Sequence, residues 1–431
     1  MVFRRKGTAP AEPPTPRWAV PPTPSPRIVR SSLLVAALFF SVFPTLTVAT
    51  AQADPCGGSV SIQGTPGRDV LVGTSGADVI DAGGGNDVVR GLGGRDVLCG
   101  GGGADLLFGG SGSDDIAGGP GKDLVVGGPG LDALNGGPGP DVCGDRRDRL
   151  GRTCEWRDRQ PRPPILASFY YPWFPEAWDQ GGIDPYTQFR PSLGRYDLDR
   201  ASVRRAHLDA MRWAGMQAGI ASWWGRGTRT DRRITPLLRS TDGRGFRWSV
   251  YHEGEGQGDP SSAQIAADLA SIGARFGTDR NFLRIGGRFV VFVYAEPGDG
   301  CEMADRWSGA SALGAFVVLK VFSGFEACAS QPDAWHQYAP AVAADDQRPY
   351  SYSVSPGFWK ADEASPRLGR NLDRWRRDVR RMMNTRVTFR LVTTFNEWGE
   401  GTAVESAREW RSRSGHGTYL DVLRREVRRA G

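Results

Sequence analysis

From residue 64 to residue 144 the chain repeats every nine residues, and that period leaves few folds open. Asp recurs at Asp69, Asp78, Asp87, Asp96, Asp105, Asp114, Asp123, Asp132 and Asp141. A glycine precedes each by two places, from Gly67 to Gly139. An apolar residue follows each by two: Leu71, Ile80, Val89, Leu98, Leu107, Ile116, Val125, Leu134 and, last, Cys143. The unit reads G-G-x-G-x-D-x-L-x. Its glycines admit tight, positive-φ turns that other residues resist. Its Asp offers a hard carboxylate oxygen of the kind calcium prefers. The residues after Asp suit a short strand with the apolar one pointing inward. One unit buries nothing alone, so the units must stack and share a core. Stacked turns would hold calcium between the nine Asp residues and neighbouring carbonyls. Without cation, rows of Asp repel, so calcium binding is expected to be part of the folding energy. The competing reading is a flexible Gly/Asp linker. Nine units in register argue against it.

This segment closely resembles the hemolysin-type (RTX) calcium-binding repeat over all of 64–144. The resemblance implies an all-β parallel β-roll, structural Ca2+ and an extracellular setting. Thr65 and Thr74 replace glycine in the first two units and Leu92 does so in the fourth. Those turns are expected to bind calcium weakly or not at all.

The remainder is organised around the roll. Arg4, Arg5, Lys6, Arg17, Arg27 and Arg30 face Glu12 alone in the first thirty residues. An apolar run over 33–48 follows and ends in Ala51-Gln52-Ala53, a small-x-small cleavage site. A signal peptide cut after Ala53 is the expectation. A membrane anchor is the alternative, but a span needs ~20 apolar residues and Pro44 interrupts this run. The mature protein is then secreted, or held at the cell surface, with no stable span. Six cysteines lie beyond the signal, an even number suited to disulfides; Cys143 with Cys154 and Cys301 with Cys328 are the local pairs. The net charge of +6 is not gathered into the one-sided basic stripe of a nucleic-acid binder. With four His, a His-rich metal centre is implausible. The expected organisation is an N-terminal extension and signal (1–53), the β-roll (54–144), a charged, Pro-rich linker (145–164) and a second domain (165–431).

In that second domain the pattern changes to strands alternating with helices. Strands are expected at 165–170, 219–223, 247–252, 289–294, 315–320 and 388–395, with 350–354 a further candidate. Amphipathic helices are expected at 201–213, 261–276, 367–383 and 419–429. Alternation over this length predicts an α/β (β/α)8 TIM barrel. Aromatic and acidic residues gather just past the strand ends: Tyr170, Tyr171 and Trp173; Trp223 and Trp224; His252 and Glu253; Tyr294; and Asn396, Glu397, Trp398, Glu400 and Glu405. That rim is the active-site face of barrel enzymes. Tyr and Trp can pack on the apolar faces of sugars, and Asn, Glu and His can bond their hydroxyls. Glycoside cleavage needs two carboxyls in different protonation states. Glu397 and Glu400, three apart, suit that pair, with no catalytic cofactor required. Of the adjacent Trp223 and Trp224, one is expected in the core and one at the cleft.

Residues 165–431 resemble glycoside hydrolase family 99, the endo-α-mannosidase and endo-α-mannanase group. The resemblance lies in Phe169-Tyr170-Tyr171-Pro172-Trp173, Ser222-Trp223-Trp224-Gly225, Tyr251-His252-Glu253 and, most specifically, Phe395-Asn396-Glu397-Trp398-Gly399-Glu400-Gly401-Thr402 with Glu405. It implies that Glu397 acts as base on the sugar's own 2-hydroxyl, giving retention through a 1,2-anhydro sugar, and that Glu400 is the general acid. It also implies a substrate contact at Glu253 and a place for Tyr294 near the reacting centre. Gly399 stands where the family often has His, and Gly254-Glu255 where it usually has Pro-Tyr. The shorter N-E-W-G/A-E-G form also occurs in a related family-99-like domain linked to glycan biosynthesis. Three readings follow: a secreted retaining α-glycosidase on a glycan substrate, a non-catalytic glycan-binding or cell-surface protein, and a glycan-assembly enzyme. Export disfavours the last, because nucleotide-sugar donors are cytoplasmic.

Overall fold

The computed structural model describes residues 56–144, 149–150, 154, 156–296 and 298–430. The signal expected within 1–53 lies outside the described residues. Among those described, no helix is long and apolar enough to cross a membrane.

The repeats form a parallel β-roll. Each short strand pairs with the one two units later, as in Val79↔Val97 and Leu106↔Leu124. Alternate units thereby build two facing parallel sheets. Ile80, Val89, Leu98, Leu107, Ile116, Val125, Leu134 and Cys143 point between them and are fully buried. The Asp residues tie successive turns together: Asp87 N donates to Asp105 Oδ1 (2.8 Å) and Asp105 N to Asp123 Oδ1 (2.9 Å). The expected linker is not all irregular. Within it, Arg149–Leu150 and Trp156–Arg157 add one more strand to each sheet of the roll. Three disulfides form: Cys143–Cys154 and Cys301–Cys328, as the spacing suggested, and Cys56–Cys99.

The second part is a TIM barrel of eight parallel strands: β1 (Ile165–Tyr170), β2 (Ala218–Trp223), β3 (Arg247–His252), β4 (Arg288–Val293), β5 (Ala315–Lys320), β6 (Ala334–His336), β7 (Ser351–Val354) and β8 (Phe389–Val392). The ladder runs β6-β5-β4-β3-β2-β1-β8-β7. Ser353 Oγ donates to Gln337 O (3.0 Å) across the remaining gap between β6 and β7. Six helices cover the strands among the described residues: α1 (Ala201–Trp213), α2 (Arg229–Ser240), α3 (Ser262–Ile272), α4 (Cys301–Trp307), α5 (Leu372–Asn384) and α6 (Thr418–Ala430). After β5 stands only a 3-10 turn, Phe325–Ala327, and after β6 a strand, Ala344–Gln347, antiparallel to β7. Thus α2, α4 and β6 were not anticipated. Pro236 lies inside α2 and reads as a helix breaker despite the apolar stripe of Ile234, Leu237 and Leu238; α4 spans two turns and β6 has three residues, too short to show a period.

Strand parity sorts the side chains. Ile165, Ala167, Phe169, Tyr171, Tyr251, Phe292 and Leu391 share the barrel interior. Leu166, Tyr170, Trp223, Trp248, Val250 and Val293 face the helices. One sheet of the roll packs by its outer face on the barrel: Val88, Leu106, Leu124 and Val142 belong to the same buried cluster as the helical layer.

Candidate functional site

The segment after β8 carries the two paired glutamates. Phe395 N donates to Phe169 O (2.8 Å), and Asn396 fixes the turn against the end of β1. Asn396 Oδ1 accepts Tyr171 N (2.8 Å) while its Nδ2 donates to Tyr171 O (3.0 Å). Glu397 N donates to Thr394 Oγ1 (2.9 Å), and Glu400 N donates to Glu397 Oε1 (3.2 Å). Two carboxyls thus share one small turn. Glu397 is buried, and its Oε2 has no hydrogen-bond partner. Glu400 accepts from the Tyr338 hydroxyl at 2.7 Å. Burial pushes both carboxyls above the ordinary range. The Glu400 charge pushes Glu397 further up, whereas the Tyr338 hydroxyl, Lys360 and Arg367 restrain the rise at Glu400.

Glu253, past β3, is also buried, and its carboxyl is pushed up to about 8 by desolvation and, to a smaller extent, by the Glu400 charge. The Ser222 hydroxyl and the Lys320 charge oppose that rise. Lys320, at the end of β5, donates to Ala295 O (2.6 Å) and sits 4.6 Å over the Tyr294 ring. Tyr171, Trp173 and Tyr294 border this group with Tyr251 and Tyr338. Trp224 is the most exposed tryptophan side chain among them.

Other expected contacts lie elsewhere. Tyr170, Trp223, His252, Trp398 and Glu405 are buried in the layer between strands and helices or beneath the turn. Trp223 Nε1 donates to Asp231 (2.8 Å), and His252 Nε2 meets Asp268 (3.2 Å). Glu405 Oε2 accepts from Tyr196 (2.8 Å) and Trp398 Nε1 (3.2 Å), and its Oε1 lies 3.2 Å from His207 Nε2. The Tyr170 hydroxyl meets His207 Nδ1 at 3.0 Å. Parity sends the strand residues Tyr170, Trp223 and His252 away from the interior, while Glu405, with Tyr196, His207 and Trp398, forms a buried polar cluster beneath the β8 turn. Asn396 likewise spends its amide on backbone. Tyr338, Ser222 and Lys320 were missed. Tyr338 follows the three-residue β6, Lys320 ends an apolar strand, and Ser222 was overshadowed by the tryptophans beside it.

The roll offers calcium a consistent donor set. Asp87, Asp96, Asp105, Asp114, Asp123 and Asp132 each keep a buried Oδ2 without a hydrogen-bond partner. Burial pushes the carboxyls of Asp87, Asp105 and Asp123 up to about 6, 7 and 8. A Cβ at Gly91, Gly100 or Gly109 would collide with such an Oδ2 and with a carbonyl oxygen of a neighbouring turn. Hard oxygens therefore converge on space only glycine leaves open, which fits calcium. The first two units differ. Asp69 Oδ2 accepts from Thr65 N (2.7 Å) and its hydroxyl (2.8 Å), and Asp78 Oδ2 from Thr74 N (2.7 Å) and its hydroxyl (3.0 Å). Leu92, by contrast, keeps the positive φ (75°) of its glycine equivalents, and Asp96 keeps its open oxygen.

Residues 63–98, 100–134 and 108–143 match the RTX calcium-binding nonapeptide repeat (4 copies). A search of curated proteins finds no match. Among solved structures, the chain is similar to the GH99 endo-alpha-mannosidase from Bacteroides thetaiotaomicron in complex with Bis-Tris propane: 18% identity, TM-score 0.50, covering 63% of this chain and 99% of that one. A second structure of that enzyme aligns with TM-score 0.49 at 18% identity (63% and 98% covered), and a "glycoside hydrolase-like protein" with 0.46 at 12% (63% and 95%). Likeness at this identity speaks to fold. Residues 63–143 are therefore RTX calcium-binding nonapeptide repeats, and they precede a TIM barrel of the fold that the GH99 endo-alpha-mannosidase adopts.

Proposed function

We propose that this chain is a secreted, calcium-binding retaining α-glycosidase that cuts α-mannose-containing glycans internally, with Glu397 as base and Glu400 as acid. The observation that carries the reading is the pair itself, two carboxyls on one turn at the C-terminal mouth of a barrel, Glu397 buried and Glu400 half-buried, both raised above the ordinary carboxylate range. Two carboxyls so close can share one proton between them.

In the proposed first step, Glu397 takes the proton of the sugar's 2-hydroxyl as that oxygen attacks C1. The bond from C1 to the departing oxygen breaks, and Glu400 gives that oxygen its proton. In the second, water attacks C1 and yields a proton to Glu400. The C1–O2 bond of the 1,2-anhydro sugar opens, and Glu397 returns its proton to O2. Configuration is retained overall.

The resting environment favours the shared proton on Glu397, because Glu400 already receives a hydrogen bond from Tyr338. Substrate reverses this preference. A 2-hydroxyl donating to the unpartnered Oε2 of Glu397 supplies the donor its carboxylate lacks, which favours charge there and the proton on Glu400.

The test is product analysis on α-mannan and α-linked oligosaccharides, with calcium. Glu400→Gln and Glu397→Gln are expected to lower turnover by ~10²–10⁴-fold with the fold intact. Activity unchanged in either variant removes that residue from its role. A folded protein that binds these glycans and releases no product would favour the non-catalytic binding reading.

A further inference from the structure

One hydroxyl at the end of β2 joins the segments that follow β1 and β2. Trp173, after β1, donates its indole N–H to Ser222 Oγ at 3.1 Å, and Trp224, after β2, does the same at 3.0 Å. Ser222 is buried, so water does not compete for its oxygen. A serine oxygen has two acceptor positions and one proton. The two indoles fill the acceptor positions, and the proton remains to donate; the Ser222 hydroxyl also restrains the burial-driven rise of Glu253, after β3.

The two indoles and the Glu253 carboxyl are chemically complementary. Trp173 and Trp224 lie 6.1 Å apart at 59°, half-buried and exposed respectively, so they present apolar ring surface at the mouth. The Trp173 ring also packs against Tyr171 at 4.5 Å. Glu253 supplies the polar group beside that surface. An aromatic wall with one oriented carboxyl is the arrangement that a pyranose ring requires, a flat C–H face to cover and hydroxyls to bond.

We infer that Ser222 is the positioning residue of a sugar-binding subsite, fixing the two indoles of Trp173 and Trp224 as one unit beside the Glu253 carboxyl. Ser222 touches no substrate itself. The inference rests on the glycosidase reading only for the identity of the ligand. The unit acts before any bond is broken, so its signature is binding and side-chain spectroscopy rather than turnover.

The experiment uses the full calcium-loaded chain, Ser222→Ala and Ser222→Thr. Ala removes the hydroxyl with little change of volume; Thr restores it. Indole N–H resonances of ¹⁵N-labelled protein report Trp173 and Trp224, and the ¹³C-carboxyl titration reports Glu253. In Ser222→Ala both indole signals are expected to move, and the Glu253 midpoint to rise by ~1 unit, because the hydroxyl that restrains its pKa is lost. Calorimetric affinity for α-1,6-mannobiose is expected to fall ~10-fold. Ser222→Thr is expected to recover all three. Unmoved indole signals with an unmoved Glu253 midpoint would overturn the assignment. Moved signals with full mannobiose affinity would overturn the subsite. Should the parent protein bind no mannobiose, the proposed substrate fails instead, and the spectroscopic arms still decide the role of Ser222.

Discussion

Tyr338 and Glu400 illustrate how one contact sets chemistry. The phenol donates to a carboxyl whose pKa burial raises, and its own ionisation is pushed well above 10 by burial, so it remains a donor wherever the pair titrates. A donor to the charged form lowers a carboxyl's pKa. Removing it in Tyr338→Phe leaves Glu400 higher, so an acid that must be protonated stays so to higher pH. The alkaline limb of the kcat/KM profile is expected to move up by ~1 unit, with kcat reduced. An alkaline limb that stays in place would show that Tyr338 packs without tuning. At this scale the sequence announced the Glu397/Glu400 turn through its spacing. It split Trp223 and Trp224 between core and cleft, as found, without saying which goes where, and did not separate the tyrosines. Tyr170 and Tyr171 are adjacent, yet parity sends one to His207 and the other to the mouth. That choice depends on where β1 starts in the pleat, which composition does not reveal.

Single elements decide how much calcium the roll takes. The repeat fixed the roll's period and its inward residues in advance, because a nine-residue unit with one apolar position has few ways to bury it. The two Thr-containing turns were flagged by the same pattern, and geometry supplies the reason: Thr65 and Thr74 occupy the Asp oxygen that later units leave open. Titration calorimetry is therefore expected to find fewer bound calcium ions in Asp123→Asn, and the same number in Asp69→Asn. A loss of stoichiometry in Asp69→Asn would mean that calcium displaces the threonine. Helix α2 and strand β6 escaped the pattern for the opposite reason. Pro236 masks the apolar stripe of α2, and three residues are too few for β6 to show a period. Thr228, which accepts from Asp231 N, was the one cue at the start of α2.

At the scale of the molecule, the roll and the barrel share buried surface, and this makes calcium a matter for both. Leu106 and Leu124 are wholly enclosed against the barrel, and Phe108 and Val126 pack beside them. Arg90 donates to Ser311 O, and Lys122 pairs with Asp279 at 3.2 Å. From the far end of the roll, Asp158 meets the fully buried Arg284 with two hydrogen bonds, at 3.0 and 2.8 Å. These contacts cluster on α3 and on the segments that lead into β4 and β5, opposite the rim that carries Glu397. If calcium removal loosens the roll, the barrel loses this cover, because anything that stabilises only the native roll is linked to whatever is packed on it. In the full chain, near-ultraviolet circular dichroism from barrel tryptophans such as Trp223 and Trp248 is expected to melt at lower temperature with chelator than with calcium. Leu106→Ala should cost about 2–5 kcal/mol through the cavity it leaves. It should also shrink the calcium-dependent shift of the barrel transition, since it weakens the contact that transmits it. A barrel transition indifferent to chelator would mean that the two parts melt independently despite their shared core.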